Sequence, residues 1–285
     1  FLYEVTGGAS WTVNQGWWPT APARDPCKPD ASQHFVGVGC KEACVETTDG
    51  DNCRRGRITK LSLDRNNLDG TLPQAWGNMT KMKDLDLDTN HLDGPLPEAW
   101  GNMTKITTLQ LNNNNLDGPL PEAFGKMTKM YDLELNNNLL DGTLPASWGP
   151  GMRLNMQYMR LQNNHITGTL PPSWSQWKRG LATLDISSNR LVGTLPPQWA
   201  NITSIAFSFL SLRNNSLSGT LPSAWSRLRH LSQLYLDTNR LSGSIPSTWG
   251  GGRGGGESTE PPPGQQVGLL STSSNQPDLQ VIALQ

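Results

Sequence analysis

The sequence predicts an α/β repeat solenoid, a superhelix in which short parallel strands line a concave face and short 3₁₀ or helical turns form the convex side. Leu61, Leu85, Leu109 and Leu133 recur 24 residues apart, and the letters around them repeat in the same order. Each repeat also carries Asn, Gly, Pro and an aromatic residue at fixed places. A period of this size is typical of stacked repeat architectures, and we expect the superhelix to be right-handed.

The repeats divide the chain into three parts. Residues 1–57 hold all the cysteines, residues 58–250 hold the repeats, and residues 251–285 are a Gly/Pro-rich tail. Eight repeats begin near Ile58, Met82, Ile106, Met130, Met156, Leu181, Phe207 and Leu231.

Composition narrows the class of protein. The chain of 285 residues has a formal net charge of -1, so no global field would attract nucleic acid. No apolar run approaches the roughly 18 residues that span a bilayer, so we expect no membrane span. Because the chain begins at Phe1, we expect a signal peptide to have been removed.

The four cysteines, Cys27, Cys40, Cys44 and Cys53, indicate disulfides and an oxidising, extracellular compartment. Three pairings are open, and adjacency favours Cys27 with Cys40 and Cys44 with Cys53. A zinc site is the alternative, but no CxxC pair is present and His34 is the only histidine nearby.

Each position within a repeat has a physical assignment. Leucine pairs such as Leu85 and Leu87 alternate with polar residues and point inward from a short strand. The asparagine that follows can bond the backbone of the adjoining turn, which predicts a buried ladder; its members are Asn66, Asn90, Asn114, Asn138, Asn164, Asn189, Asn215 and Asn239.

A glycine suited to a tight turn and a proline suited to open a helical turn come next. The aromatic residue comes next, and apolar residues spaced three positions apart accompany it in the turn. This spacing predicts that the aromatic side chain packs in the core. This aromatic column is Trp76, Trp100, Phe124, Trp148, Trp174, Trp199, Trp225 and Trp249. Trp177 lies outside the column, and we expect it to be exposed.

The LxGxLP repeats resemble those of plant-type extracellular leucine-rich-repeat (LRR) proteins, and GTLPxxW followed by Met resembles algal and protist surface proteins of that kind. The segment with Trp11, Trp17, Cys27 and Gly37-Val38-Gly39-Cys40 resembles the disulfide-bonded N-terminal cap of such repeats. Phe35 stands where that cap usually carries Trp, and Cys44 and Cys53 form an additional pair. The resemblance implies non-enzymatic recognition, adhesion or coat structure.

The polar residues of the strands face outward and form the predicted concave face, the surface that repeat proteins commonly use for partners. Candidate binding residues there are Asp86, Tyr131, Glu134, Tyr158, Arg160, Phe209, Arg213 and Tyr235. Asp64, Asp86 and Asp88 fall on the same face and are weak candidates for a calcium site; simple outward alternation is the alternative.

The sequons predict N-glycans, the covalent groups that we expect in place of any cofactor. Asn78, Asn102 and Asn201 lie two residues after the column aromatic, so their glycans would line one flank, and Asn214 lies at a strand exit. Pro261, Pro262 and Pro263 are candidates for O-glycosylation after hydroxylation.

Catalysis finds no supporting motif, because GxSxG is absent and the histidines are scattered, so no catalytic residue is assigned and we expect no enzyme. No cysteine cap follows the last repeat. Either Leu279–Leu284 folds back as an added strand or a second copy docks there; a linker to a further domain or anchor is the alternative.

Two functions remain. We expect a secreted, non-enzymatic glycoprotein at the cell surface or in the extracellular matrix, acting as a structural or adhesive scaffold of a coat or fibril. Its partners would be copies of itself, other proteins or extracellular glycans. The alternative is a ligand-recognition module, such as a receptor ectodomain or an enzyme inhibitor, that binds a protein or glycan on the concave face.

Overall fold

The computed structural model describes residues 38–41, 57–177, 179–250 and 282–283. Over these residues the predicted solenoid is confirmed. Each repeat contributes one short strand to a main sheet and one short helical turn to the opposite side.

The main sheet has ten strands in the order β1-β2-β4-β6-β8-β9-β10-β12-β14-β16. They are β1 Val38–Lys41, β2 Arg57–Ser62, β4 Asp84–Asp86, β6 Thr108–Gln110, β8 Asp132–Glu134, β9 Tyr158–Arg160, β10 Thr183–Asp185, β12 Phe209–Ser211, β14 Gln233–Tyr235 and β16 Ile282–Ala283. The strands from β2 to β14 pair in parallel with equivalent residues in register, as in Leu85 opposite Leu109. Every outward side chain therefore stacks beside its equivalent in the next repeat.

Two smaller parallel sheets of three strands form one flank of the solenoid. Their strands are β3 Asp69–Thr71, β5 His91–Pro95 and β7 Asn115–Asp117, then β11 Val192–Thr194, β13 Ser216–Gly219 and β15 Arg240–Leu241. A glycine with positive φ lies in or shortly after each of these strands, as Gly118 does at +70°, because the chain here needs a backbone that other residues rarely adopt.

The side opposite the main sheet consists of helical turns that each follow a proline. Seven are 3₁₀ turns: Gln74–Asn78, Glu98–Asn102, Glu122–Lys126, Pro172–Gln176, Pro197–Asn201, Ser223–Arg227 and Ser247–Gly250; the fourth repeat has an α-helical turn, Trp148–Gly151. In the second repeat the N–H of Trp100 donates to the carbonyl of Pro97 at 3.0 Å, the i to i+3 bond of a 3₁₀ turn.

The aromatic column is core, as predicted. Its members from Trp100 to Trp225 are at most 2% exposed, whereas Trp76 and Trp249 at the two ends are half-buried. Neighbouring rings stack, and the Trp174 and Trp199 centroids are 6.4 Å apart with planes 5° from parallel.

The indole N–H groups explain why the column is almost entirely tryptophan. The indole of Trp174 donates to the carbonyl of Pro145 in the preceding repeat at 2.9 Å, and that of Trp199 donates to Pro171 at 3.0 Å. Each indole thus satisfies a buried carbonyl while filling the core. This bond was not evident from the repeat pattern.

The prediction for Trp177 was wrong. Its side chain is 1% exposed, and its ring lies 4.5 Å from that of Trp174. Trp177 occupies the place of the methionine that follows the aromatic in other repeats, as Met103 and Met127 do, so its position in the repeat points it inward.

Both edges of the parallel sheet carry an antiparallel strand. β1 pairs with β2 at one end, and β16 pairs with β14 at the other, with Leu234 opposite Ile282. Residues 282–283 thus follow the fold-back alternative for the tail.

Candidate ligand-binding face

Three rows of outward side chains cover the main sheet, and together they form the concave face. The leading row is Lys60, Asp84, Thr108, Asp132, Tyr158, Thr183, Phe209 and Gln233. The middle row is Ser62, Asp86, Gln110, Glu134, Arg160, Asp185, Ser211 and Tyr235. The trailing row is Asp64, Asp88, Asn112, Asn136, Gln162, Ser187, Arg213 and Asp237. All the predicted binding residues lie in these rows except Tyr131, which precedes β8.

The centre of the face combines two carboxylates with one guanidinium. Arg160 on β9 forms an ion pair with Glu134 on β8, and its Nη1 lies 3.6 Å from Oδ1 of Asp132. That separation is too long for a hydrogen bond, and within the described chain Oδ1 of Asp132 is buried without a donor. The Arg160 guanidinium therefore lies beside two carboxylates but pairs closely only with Glu134.

Burial, and to a smaller extent the neighbouring charge of Glu134, raise the pKa of Asp132 to about 6 against the opposing effect of the Arg160 guanidinium. A carboxylate that is held partly away from water and is incompletely paired binds a proton, or another cation, more readily than an exposed one. Asp132 therefore retains unused capacity for a positive partner.

Two tyrosines form an aromatic wall beside these charges. The rings of Tyr131 and Tyr158 meet edge to face with centroids 5.6 Å apart, and the guanidinium of Arg160 lies 5.3 Å from the Tyr158 centroid. Tyr131 is 40% exposed, so part of its ring is open to a ligand.

The trailing row contains an acceptor row that the sequence did not reveal, made of Asn112, Asn136 and Gln162. Within the described chain, the side-chain oxygen of each is buried and receives no hydrogen bond. Asn112 and Asn136 are each 9% exposed. Because strands of a sheet lie about 4.8 Å apart, these oxygens form a short ladder beside the middle row, next to Glu134 and Arg160.

Nothing in the letters distinguishes this row from its neighbours. Asn112 precedes Asn113 and Asn114, and Asn136 precedes Asn137 and Asn138. Only the hydrogen bonds in the structure show which of these side-chain oxygens has a donor.

The first repeats bring together the predicted cation ligands. One ligand atom from each of Asp64, Asp86 and Asp88 lies within 4.8 Å of the others. Burial raises the pKa of Asp86, and the charges of Asp88 and Asp64 add to this, although a hydrogen bond from the Asp88 backbone N–H lowers it. The carboxylates could hold a hard cation, and a calcium site here stays a prediction.

The last repeats hold the remaining candidates. Phe209 and Tyr235 have ring centroids 5.5 Å apart, and Arg213 pairs with Asp237 at 2.9 Å. These residues are separated from the central tyrosines by β10, so the predicted aromatic anchors form two groups and not one.

The sequons lie away from the concave centre. Asn78, Asn102 and Asn201 are exposed where their 3₁₀ turns end. Asn214 is exposed at the concave rim and donates to the Ser188 hydroxyl at 3.2 Å. Glycosylation at these four asparagines stays a prediction.

Several predicted residues fall outside the described chain. Cys27, Cys44, Cys53 and Pro261–Pro263 are among them, whereas Cys40 lies in β1. The disulfide pairing and the O-glycans therefore stay predictions. In the part of the chain that the structure describes, no helix has both the length and the apolar character to cross a membrane.

Family models support the repeat assignment over more than half of the chain. A leucine-rich-repeat model matches residues 56–116, and a second matches residues 155–177, 180–202, 207–228 and 230–251. Comparison with curated proteins gave no match.

Solved structures with the same fold include plant receptor ectodomains. The LRR ectodomain of the membrane receptor kinase GASSHO1/SCHENGEN3 from Arabidopsis thaliana, solved in complex with CASPARIAN STRIP INTEGRITY FACTOR 2, has 33% identity and a TM-score of 0.63 over 67% of this chain. A TDR receptor has 30% identity and a TM-score of 0.58 over 63%. The Arabidopsis HAESA ectodomain, solved with an IDA peptide hormone ligand, has 24% identity and a TM-score of 0.61 over 76%.

The chain spans 22%, 30% and 38% of the length of these three ectodomains. Such relatives favour the ligand-recognition alternative; the structural scaffold, our first expectation, finds no support among them. The family models and the confirmed fold together establish that the chain belongs to the leucine-rich-repeat proteins.

Proposed function

We propose that this chain is a non-enzymatic, extracellular ligand-recognition module that binds a polypeptide partner on its concave face. The acceptor row carries the proposal. A buried acceptor without a donor costs about 1–3 kcal/mol, and three of them lie side by side on one open face. A bound partner that supplies donors would recover this free energy.

The aromatic wall supports the same location. Tyrosine and arginine are among the residue types that dominate binding energy at protein interfaces, and Tyr131, Tyr158 and the half-buried Arg160 lie together here. The GASSHO1/SCHENGEN3 ectodomain, which resembles this chain and was solved in a complex, supports recognition as the class of function.

The predicted glycans would leave this face free. Asn78, Asn102 and Asn201 are on the helical-turn side of the solenoid, so sugars there would cover the convex flank. The last strand of the repeats, β14, already pairs with β16, so its edge is not available to a second copy. Both features favour a module that binds a partner over a scaffold that polymerises.

The test is selection of binders from a random twelve-residue peptide library against the full chain, followed by titration of the selected peptides. We expect the double variant Tyr131→Ala/Tyr158→Ala, which removes the aromatic wall, to weaken their binding at least tenfold. The control variant Val192→Ser changes an exposed residue of the flank sheet and should leave affinity unchanged. Peptides that bind all three proteins equally would refute the assignment to the concave face.

Self-association is tested on the same samples. Light scattering from 1 µM to 1 mM should report one monomeric mass, whereas growth with concentration would restore the scaffold interpretation.

A further inference from the structure

Acidic side chains greatly outnumber basic ones on the concave face. The acidic residues of its three rows are Asp64, Asp84, Asp86, Asp88, Asp132, Glu134, Asp185 and Asp237, against Lys60, Arg160 and Arg213. The whole chain has a net charge of only -1. The negative charge is thus concentrated where the partner is proposed to bind, and such a field steers cationic partners towards it.

The basic residues of the face do not neutralise its centre. Arg213 is paired with Asp237, and Arg160 is shared between Glu134 and Asp132, with Oδ1 of Asp132 left without a hydrogen bond. A second cation placed between β8 and β9 would complete this arrangement. Tyr131 and Tyr158 border the position and offer ring faces to a cation.

The acceptor row also favours a cationic ligand, because such a ligand supplies hydrogen-bond donors. Lysine and arginine side chains carry three and five N–H donors, respectively, and no acceptor, so they match oxygens that lack donors. The terminal amide torsion of asparagine is broad, so rotation of the Asn112 or Asn136 amide can turn its oxygen towards a ligand. A ligand rich in acceptors would meet only further acceptors here.

We propose that the partner segment is a basic peptide, one arginine or lysine of which binds between the Tyr131/Tyr158 pair and Asp132/Glu134 while neighbouring donors bind the acceptor row. This inference rests on the proposed function and adds the chemical class of the ligand. It also locates the specificity in the third to fifth repeats.

The test uses the peptides selected on the full chain. They should carry a net positive charge, and Asp132→Asn/Glu134→Gln should weaken their binding about tenfold. The matched control, Asp117→Asn/Asp141→Asn, removes the same charge from exposed positions of the flank and should change affinity less than twofold. Equal losses in the two double variants would show general charge attraction and overturn the proposed site.

The acceptor row is tested separately. Asn136→Leu removes the oxygen and should weaken binding about fivefold, whereas Asn136→Asp keeps an acceptor and adds a charge, so it should bind at least as tightly as the wild type. Thermal unfolding of each variant establishes that it is folded.

The basic-peptide inference and the assignment of binding to the concave face can fail independently. Selected peptides that are neutral or acidic, yet lose affinity in Tyr131→Ala/Tyr158→Ala, would overturn the basic-peptide inference and keep the concave face as the binding surface. Binding that no concave-face substitution affects, or binding of neutral polysaccharides in place of peptides, would overturn both proposals.

Discussion

Asn114 and Asn112 lie two residues apart at the same strand exit, one directed into the turn and the other onto the concave face. The amide of Asn114 donates to the carbonyls of Leu87 at 3.0 Å and Leu111 at 3.1 Å, and its oxygen accepts the N–H of Leu92 at 3.0 Å. Among the described residues, none donates a hydrogen bond to the oxygen of Asn112. The interior of the solenoid thus satisfies its polar groups across repeats, while the concave face leaves some of them open.

This difference indicates that one set of polar residues provides stability and another provides recognition. The asparagine ladder and the aromatic column connect each repeat to the one before it, so their bonds hold the stack together. The acceptor row makes no such connection. Substitutions in the first set should cost stability, and substitutions in the second should cost binding.

The largest loss of stability is expected for Trp174→Ala. It removes a fully buried indole from between the Trp148 and Trp199 rings and leaves a cavity, which should lower the free energy of unfolding by about 3–5 kcal/mol. Trp174→Phe, which copies the natural Phe124, should lose only about 1 kcal/mol through the bond to Pro145. Urea unfolding measures both, and equal losses would contradict a separate role for the indole N–H.

The next prediction compares two asparagines of one repeat. Asn138→Ala removes amide bonds to Leu111 and Leu135 and the acceptor for the N–H of Leu116, so we expect a loss of about 2–4 kcal/mol. Asn136→Ala should not lower the free energy of unfolding, because its oxygen has no donor to lose within the described chain and removal of an unpaired buried acceptor is favourable. A comparable loss at both positions would refute the separation of stability from recognition.

The smallest effect is expected at Asp132 and depends on pH. Because the folded-state pKa of Asp132 is raised to about 6, the stability it contributes is fully present near pH 4 and is lost as pH rises through 6. Asp132→Asn removes the unfavourable charge and should stabilise the protein by about 1 kcal/mol at pH 8, a value reduced for partial solvent screening, with a smaller effect at pH 4.5. Thermal unfolding at the two pH values measures this. An equal effect at both would mean that the charge of Asp132 is not the cause.

Much of the architecture was predictable because each structural position is represented by an equivalent residue in every repeat. The inward leucines, the aromatic core and the first five members of the asparagine ladder were confirmed as buried, whereas Asn189, Asn215 and Asn239 are half-buried. Period-2 alternation and spacing by threes each specify one buried side. Trp177 was misplaced because it was judged by residue type and not by its position in the repeat.

The sequence by itself determined the period, the number of repeats and which side chains point inward, because these depend on local backbone geometry that each repeat specifies independently. The tertiary structure decided which polar groups find partners. Bonds such as those from indole N–H groups to prolines of the preceding repeat, or the sharing of Arg160 between Asp132 and Glu134, join residues 26 to 29 positions apart. Contacts between repeats likewise decide which of three consecutive asparagines has a side-chain oxygen without a hydrogen-bond donor.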